Sequence, residues 1–327
     1  MNDDILPRLP EPKPNVDEFR RVLQGGDCGR VPLVELAIAE EVLAALHGRP
    51  LIPLSRAEGW QTFRAGVRQR VRLHRALGYD YYRVRAEIPF QMETLPARNT
   101  AAAAAADRQW VNEQEGLIKT AADLETYPWP TRAAIDFAAA EAAADGLPEG
   151  MGLIGFSGGV LEWSSNLLGL ESMMLLLYDE PGLVQAVVDR VGQIIYEAFH
   201  VFCQMDGVFA IWLGDDMGFK TATLLQPRHL RQYILPWHQR YAELAHRTGQ
   251  VERRDPALAD LLVGDREHRR AGGGVPERER VRLRHERGVI GRGARGERRQ
   301  PDEGEGENQS AQEAAFLLFQ QAGQQQK

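Results

Sequence analysis

Residues 208–236 read VFAIWLGDDMGFKTATLLQPRHLRQYILP, and the rest of the chain can be read outward from them. Val208–Leu213 is a short, wholly apolar run, the signature of a strand buried on both faces. It stops at Gly214-Asp215-Asp216-Met217-Gly218. A polar loop follows, and Pro227 opens a helix running to Arg247. Charge at the end of a buried strand costs free energy, and chains accept that cost where the strand end faces a substrate. Asp and Gly are also ordinary turn residues, so a solvated turn is the alternative. Side chains alternate along extended backbone, so Asp215 and Asp216 face opposite ways. Asp216 is expected to point into a site and Asp215 to brace a neighbouring loop.

The same unit, apolar strand then helix, repeats on both sides. Asn15–Gln24 has helical spacing and ends at Gly25-Gly26. Val31–Ile38 reads as a buried first strand with one charged residue, Glu35, and a helix over Ala39–His47 follows it. Arg56–Leu77 is a long basic amphipathic helix. Asp80–Ile88 alternates with period two and carries Glu87 near its end. Asn99–Asp107 is a polyalanine insert, either helix or slack loop. Gln109–Leu117 is a hairpin arm, and Tyr127-Pro-Trp-Pro130 a rigid turn. Ala133–Ala144 is an alanine-rich helix. Gly152–Ser157 is a buried strand closed by Gly158-Gly159. Val160–Tyr178 and Pro181–Met205 are helices, and Gly249 leads into a further strand. Short apolar strands that each lead into a helix make a parallel sheet covered by helices, as a (β/α)8 barrel or an open doubly wound sheet. Neither G-x-G-x-x-G after the first strand nor G-x-x-x-x-G-K-[ST] occurs, which disfavours a nucleotide-binding sheet. Glu35, Glu87, Ser157, Asp215 and Asp216 fall at the ends of different strands, as in a barrel active site.

The character changes near residue 250. All six Trp and all eight Tyr lie before it. Residues 251–327 hold 15 of the 39 Lys+Arg and 14 of the 46 Asp+Glu, with a Gly272-Gly273-Gly274 triplet and paired arginines. So polar a segment buries too little apolar area to offset the entropy of ordering its backbone. Two readings compete: a genuine disordered tail, and a reading frame shifted in GC-rich DNA. The second is preferred, because a parallel sheet that halts part-way leaves an open edge. The domain reading is therefore a flexible arm over 1–14, a partial (β/α) barrel over 15–250, and a disordered or frame-shifted tail over 251–327. The net charge of −7 argues against nucleic acid or an acidic membrane as partner. No apolar run is long enough to span a bilayer, the N-terminus has no signal-peptide pattern, and two cysteines, Cys28 and Cys203, make no disulfide framework. A reducing, cytoplasmic setting is expected.

Four stretches resemble the uroporphyrinogen decarboxylase superfamily, over about residues 15–250: Gly29-Arg-Val-Pro-Leu-Val-Glu35, Gly78-Tyr-Asp-Tyr-Tyr-Arg-Val-Arg-Ala-Glu-Ile88, Leu153-Ile-Gly-Phe-Ser-Gly-Gly159, and Leu213-Gly-Asp-Asp-Met-Gly218 with Gln226-Pro-Arg-His-Leu-Arg-Gln-Tyr-Ile-Leu-Pro236. The last is similar to the branch that moves methyl groups between corrinoid proteins and thiols. The resemblance implies a TIM-type (β/α)8 barrel, here with its C-terminal part missing or scrambled. It places Glu87 where the decarboxylases have a catalytic aspartate. In those decarboxylases an arginine-rich motif follows the first strand. Here that segment is the acidic Glu35-Leu-Ala-Ile-Ala-Glu-Glu41, which repels a polycarboxylate porphyrinogen. Their tyrosine after the glycine signature is here Asn166. The methyltransferase branch implies zinc held by His-x-Cys and a later Cys; no Cys follows Gly249, so no cofactor site is identifiable. His268 and His285 stand alone among arginines.

The residues implied for catalysis are Asp216 and Glu87; those implied for substrate binding are Glu35, Phe156, Gly158, Gly159, Asn166 and Asp215. For Glu35 and Glu87 an ion pair with Arg83 or Arg85 is the alternative reading, and for the two glycines a tight strand-to-helix turn. His238 and His246 are not spaced i, i+4 and make no helix-borne metal pair. The expected activity is corrinoid/thiol methyl transfer rather than porphyrin chemistry. The alternatives are a uroporphyrinogen decarboxylase and a non-catalytic truncated barrel. The partner is a small molecule or a corrinoid protein, with no nucleic acid and no membrane; a homodimer stays open.

Overall fold

A computed structural model describes residues 11–27, 29–97, 108–112, 114–219, 221–249 and 251–253. Most of the N-terminal arm, Cys28, the polyalanine insert, and the tail with His268 and His285 lie outside the described residues.

In chain order the helices are α1 (Val16–Leu23), α2 (Glu40–His47), α3 (Trp60–Ala76), α4 (Ala121–Thr126), α5 (Ala138–Ala144), α6 (Val160–Leu168), α7 (Leu170–Asp179), α8 (Pro181–Phe202), α9 (Pro227–His229) and α10 (Leu235–Arg247). The strands are β1 (Tyr81–Arg85), β2 (Thr94–Ala97), β3 (Arg108–Val111), β4 (Gly152–Gly158), β5 (Val208–Gly214) and β6 (Val251–Arg253). Strands β2 and β3 form a separate antiparallel hairpin. The main sheet is wholly parallel and runs β1-β4-β5-β6, with each strand beside its predecessor. A doubly wound sheet reverses its strand order at a switch point. No reversal occurs among these four strands, which matches the winding of a barrel. The protein is thus an α/β fold with a parallel sheet. Among the described residues no helix is long and apolar enough to cross a membrane.

Residues 31–38 correct the sequence reading. They form extended coil outside the sheet, and Val31 is 83% exposed. Pro32 has no N–H to give a ladder. A tyrosine side chain holds the segment instead of a neighbouring strand. Tyr81 Oη accepts from the Glu35 N–H at 3.0 Å and donates to the Glu35 carbonyl at 2.7 Å. The strand expected after Gly249 does form, at Val251–Arg253.

Core packing follows from strand alternation. On one side of the sheet, Gly155 leaves no room for a Cβ, because the Phe202 ring of α8 lies against it. α8 presents Val184, Val187, Val188, Val191, Ile195 and Phe199 as one buried stripe, the i, i+3/i+4 pattern of a core-facing helix. Each such side chain contributes about 1.5–3 kcal/mol on burial. On the other side, Phe19 of α1 packs with Tyr81, Ile154, Phe209 and Ala210. The α1 helix is N-capped by the Asn15 side chain, which accepts from the Glu18 N–H at 3.0 Å. The Asn15 N–H in turn reaches Asp80 at 2.7 Å, fixing α1 to the start of β1.

Two helices expected to be continuous are interrupted. Gly169 adopts φ +78° between α6 and α7, and the 114–118 loop crosses there. The Ile118 N–H takes the Leu167 carbonyl at 3.0 Å, and Ser172 Oγ donates to the Gln114 carbonyl at 2.9 Å. Between α9 and α10 the chain widens into a π-helical turn at Leu230–Ile234. Pro236, just after it, has no N–H for a regular i→i−4 bond, and the widened turn absorbs the defect.

Candidate active site

The C-terminal ends of β1, β4 and β5 stand side by side. Arg85 pairs in register with Phe156, Phe156 with Trp212, and Gly158 with Gly214. These positions share one face of the pleat.

Asp215 leaves β5 and turns toward α6. Its carboxylate accepts the Leu161 N–H at 3.2 Å and the Glu162 N–H at 3.0 Å, and lies 2.8 Å from His238 Nε2. Its side chain is 1% exposed. The first N–H groups of a helix have no internal partner, and the helix dipole makes that end positive. Asp215 therefore caps α6 while His238 of α10 holds the carboxylate from the other side. Gly159 is small because Asp215 occupies the space: a Cβ there would overlap the carboxyl carbon. The Tyr241 phenol near this charge is pushed well above its usual pKa, by burial first and by Asp215 second. Asp215 is thus fully engaged within the protein.

Asp216 faces the other way and is exposed, accepting the Gly218 N–H at 3.3 Å. Glu87 is exposed too; its main chain exchanges two 3.0 Å hydrogen bonds with Asp136. Glu35 is exposed on the coil beside β1. Asn166 lies half-buried in α6. Phe156 is buried under the Arg83 guanidinium, 4.1 Å from the ring centroid, with Arg85 at 5.9 Å and the Trp212 ring at 6.4 Å. Gly158 leaves room for the indole of Trp163, whose buried Nε1 has no hydrogen-bond partner among the described residues.

Phe156, Gly158, Gly159, Asp215 and Asp216 therefore come together on two adjacent strand ends. Glu87 follows β1 beside them, while Glu35 and Asn166 stand on other elements. The ion pairs considered for Glu35 and Glu87 with Arg83 and Arg85 are not formed among the described residues. Sequence reasoning weighed His238 only as half of a helix-borne metal pair, rejected that on spacing, and missed its contact with Asp215. It treated Arg83 and Arg85 only as partners for acids, although their i, i+2 spacing puts them on one strand face.

Residues 112–254 match the family Uroporphyrinogen decarboxylase (URO-D). A comparison with curated proteins finds no match. Among solved structures, the chain is similar to a methyltransferase from Methanosarcina mazei, with 14% identity and a TM-score of 0.50 over 73% of this chain and 69% of that one. At that identity the likeness shows a shared fold. Among the described residues no three His, Cys, Asp or Glu side chains gather as ligands for a metal. Cys203 is buried in the turn just after α8, and burial raises its thiol pKa, the reverse of what a thiolate ligand needs.

Proposed function

We propose that this chain carries the N-terminal part of a URO-D-superfamily barrel, and that the reaction of that barrel is methyl transfer between a corrinoid and a thiol rather than porphyrinogen decarboxylation. One observation carries the choice of reaction. The strand ends offer Arg83 and Arg85 against the exposed carboxylates Glu87 and Asp216, with a third exposed carboxylate, Glu35, on the coil beside β1. A face with more acids than guanidiniums repels a polycarboxylate macrocycle. The shared fold with a protein described as a methyltransferase supports the same choice. In this reading Asp216 and Glu87 are the catalytic carboxylates. Phe156, Gly158 and Asn166 line the substrate. Asp215 positions α6 and touches no reacting atom. The chain is cytoplasmic.

The test begins with the DNA across codons 245–327, read in three frames. A second frame encoding an apolar strand with His-x-Cys and further βα units supports the proposal. The protein expressed in that frame is then expected to consume methylcobalamin when a thiol is added, and the present chain is not. Decarboxylation of uroporphyrinogen by either chain, or no alternative frame, overturns it.

A further inference from the structure

Arg83 and Arg85 form a cationic pair on one face of β1, beside the aromatic surface of Phe156 and Trp212. We infer that this pair is a binding site for the carboxylate of a small organic substrate. The inference rests on the reading above that the strand ends form the active site, and it names the charge of what binds there.

Arg83 is mostly buried, and its Nη1 has no hydrogen-bond partner among the described residues. Burial lowers its pKa to about 10, with the neighbouring Arg85 charge as the next cause; Tyr81, Tyr82 and Glu35 oppose the shift. No described carboxylate forms an ion pair with either guanidinium. The Phe156 ring returns part of the lost solvation through its π face, but it accepts no in-plane N–H. A guanidinium whose Nη1 lacks a partner, beside a second and exposed guanidinium, can donate N–H groups to two oxygens of one planar group. A carboxylate supplies them, and the aromatic rings offer an apolar surface for the rest of the molecule. Two guanidiniums also limit the site to about one anionic group, consistent with a substrate less charged than a porphyrinogen.

The experiment is calorimetric titration of the full chain with benzoate, benzenesulfonate and inorganic phosphate, paired with thermal melting. Saturable benzoate binding is expected. Arg83→Gln and Arg85→Gln are each expected to weaken it by roughly tenfold or more, and Arg68→Gln on α3 to leave it unchanged. Arg85 is exposed, so its variant tests the site without disturbing the core. Arg83→Met in the ligand-free protein is expected to keep or raise Tm, since it removes a buried charge that has no partner to orphan. No saturable binding, unaltered binding in Arg85→Gln, or a large loss of Tm in Arg83→Met overturns the inference. Tighter binding of phosphate or benzenesulfonate overturns the carboxylate assignment. None of these readouts involves methyl transfer, so this site can fail while the proposed reaction stands, and the reverse.

Discussion

Adjacent residues Asp215 and Asp216 have the same chemistry and opposite energetics. Removing Asp215 leaves two helix N–H groups and the His238 ring without their acceptor inside the protein. Asp215→Ala is expected to cost about 2–4 kcal/mol in urea unfolding. Asp216→Asn removes only an exposed charge and should stay within about 0.5 kcal/mol. Equal losses would mean that the clasp does not form. His74 sets a second expectation at this scale. Its pKa is lowered, by burial first, and its Nδ1 lies 2.9 Å from the Arg70 carbonyl. A folded pKa below the unfolded value means that the unfolded chain binds the proton better. Stability is then full above about pH 6.5 and falls as pH drops toward the folded pKa. His74→Gln should flatten the pH dependence of Tm between pH 7 and pH 5; an unchanged slope would rule His74 out. The opposite facing of Asp215 and Asp216 was legible from strand alternation. The His238 contact was not, because it depends on how α10 folds back over β5.

The longer elements were legible wherever local pattern and tertiary packing agree. β4 and β5 read as wholly apolar runs and are central strands, flanked on both sides. Residues 31–38 read the same way, but a proline and a tyrosine hydroxyl decide their fate, and neither affects an apolar pattern. The breaks at Gly169 and Pro236 were marked by residue type, yet both residues also occur in helices that continue. At this scale the α8–α10 crossing gives a clear expectation. A Cβ on Gly192 would overlap the Trp237 ring, and Tyr241 Oη donates to the Gly192 carbonyl at 2.8 Å. Gly192→Leu should force the helices apart, cost about 1–3 kcal/mol or more, and shift Trp237 emission to the red. A variant as stable as the parent would mean that the crossing is looser than described.

At the scale of the molecule, the exposed apolar side chains among the described residues concentrate between residues 31 and 60. Val31, Leu33, Val34, Val42, Leu46, Leu54 and Trp60 all face solvent, the last 54% exposed. Clustered apolar surface on a folded protein promotes association. Sedimentation at rising protein concentration is expected to show self-association, reduced in Leu33→Ser/Trp60→Ser. A monomer at all concentrations would count against this. The α/β class was legible in the repeating strand–helix units, whereas the number of strands in the sheet depended on residues 31–38. The Asp215 clasp bears on how the molecule is made. Its partners Leu161, Glu162 and His238 all precede residue 250. A ribosome has therefore polymerised every residue of the clasp before it reaches the codons where the composition changes. Nascent chains fold from the N-terminus onward during synthesis, so β4 through α10 can lock together co-translationally, whatever sequence is translated after them.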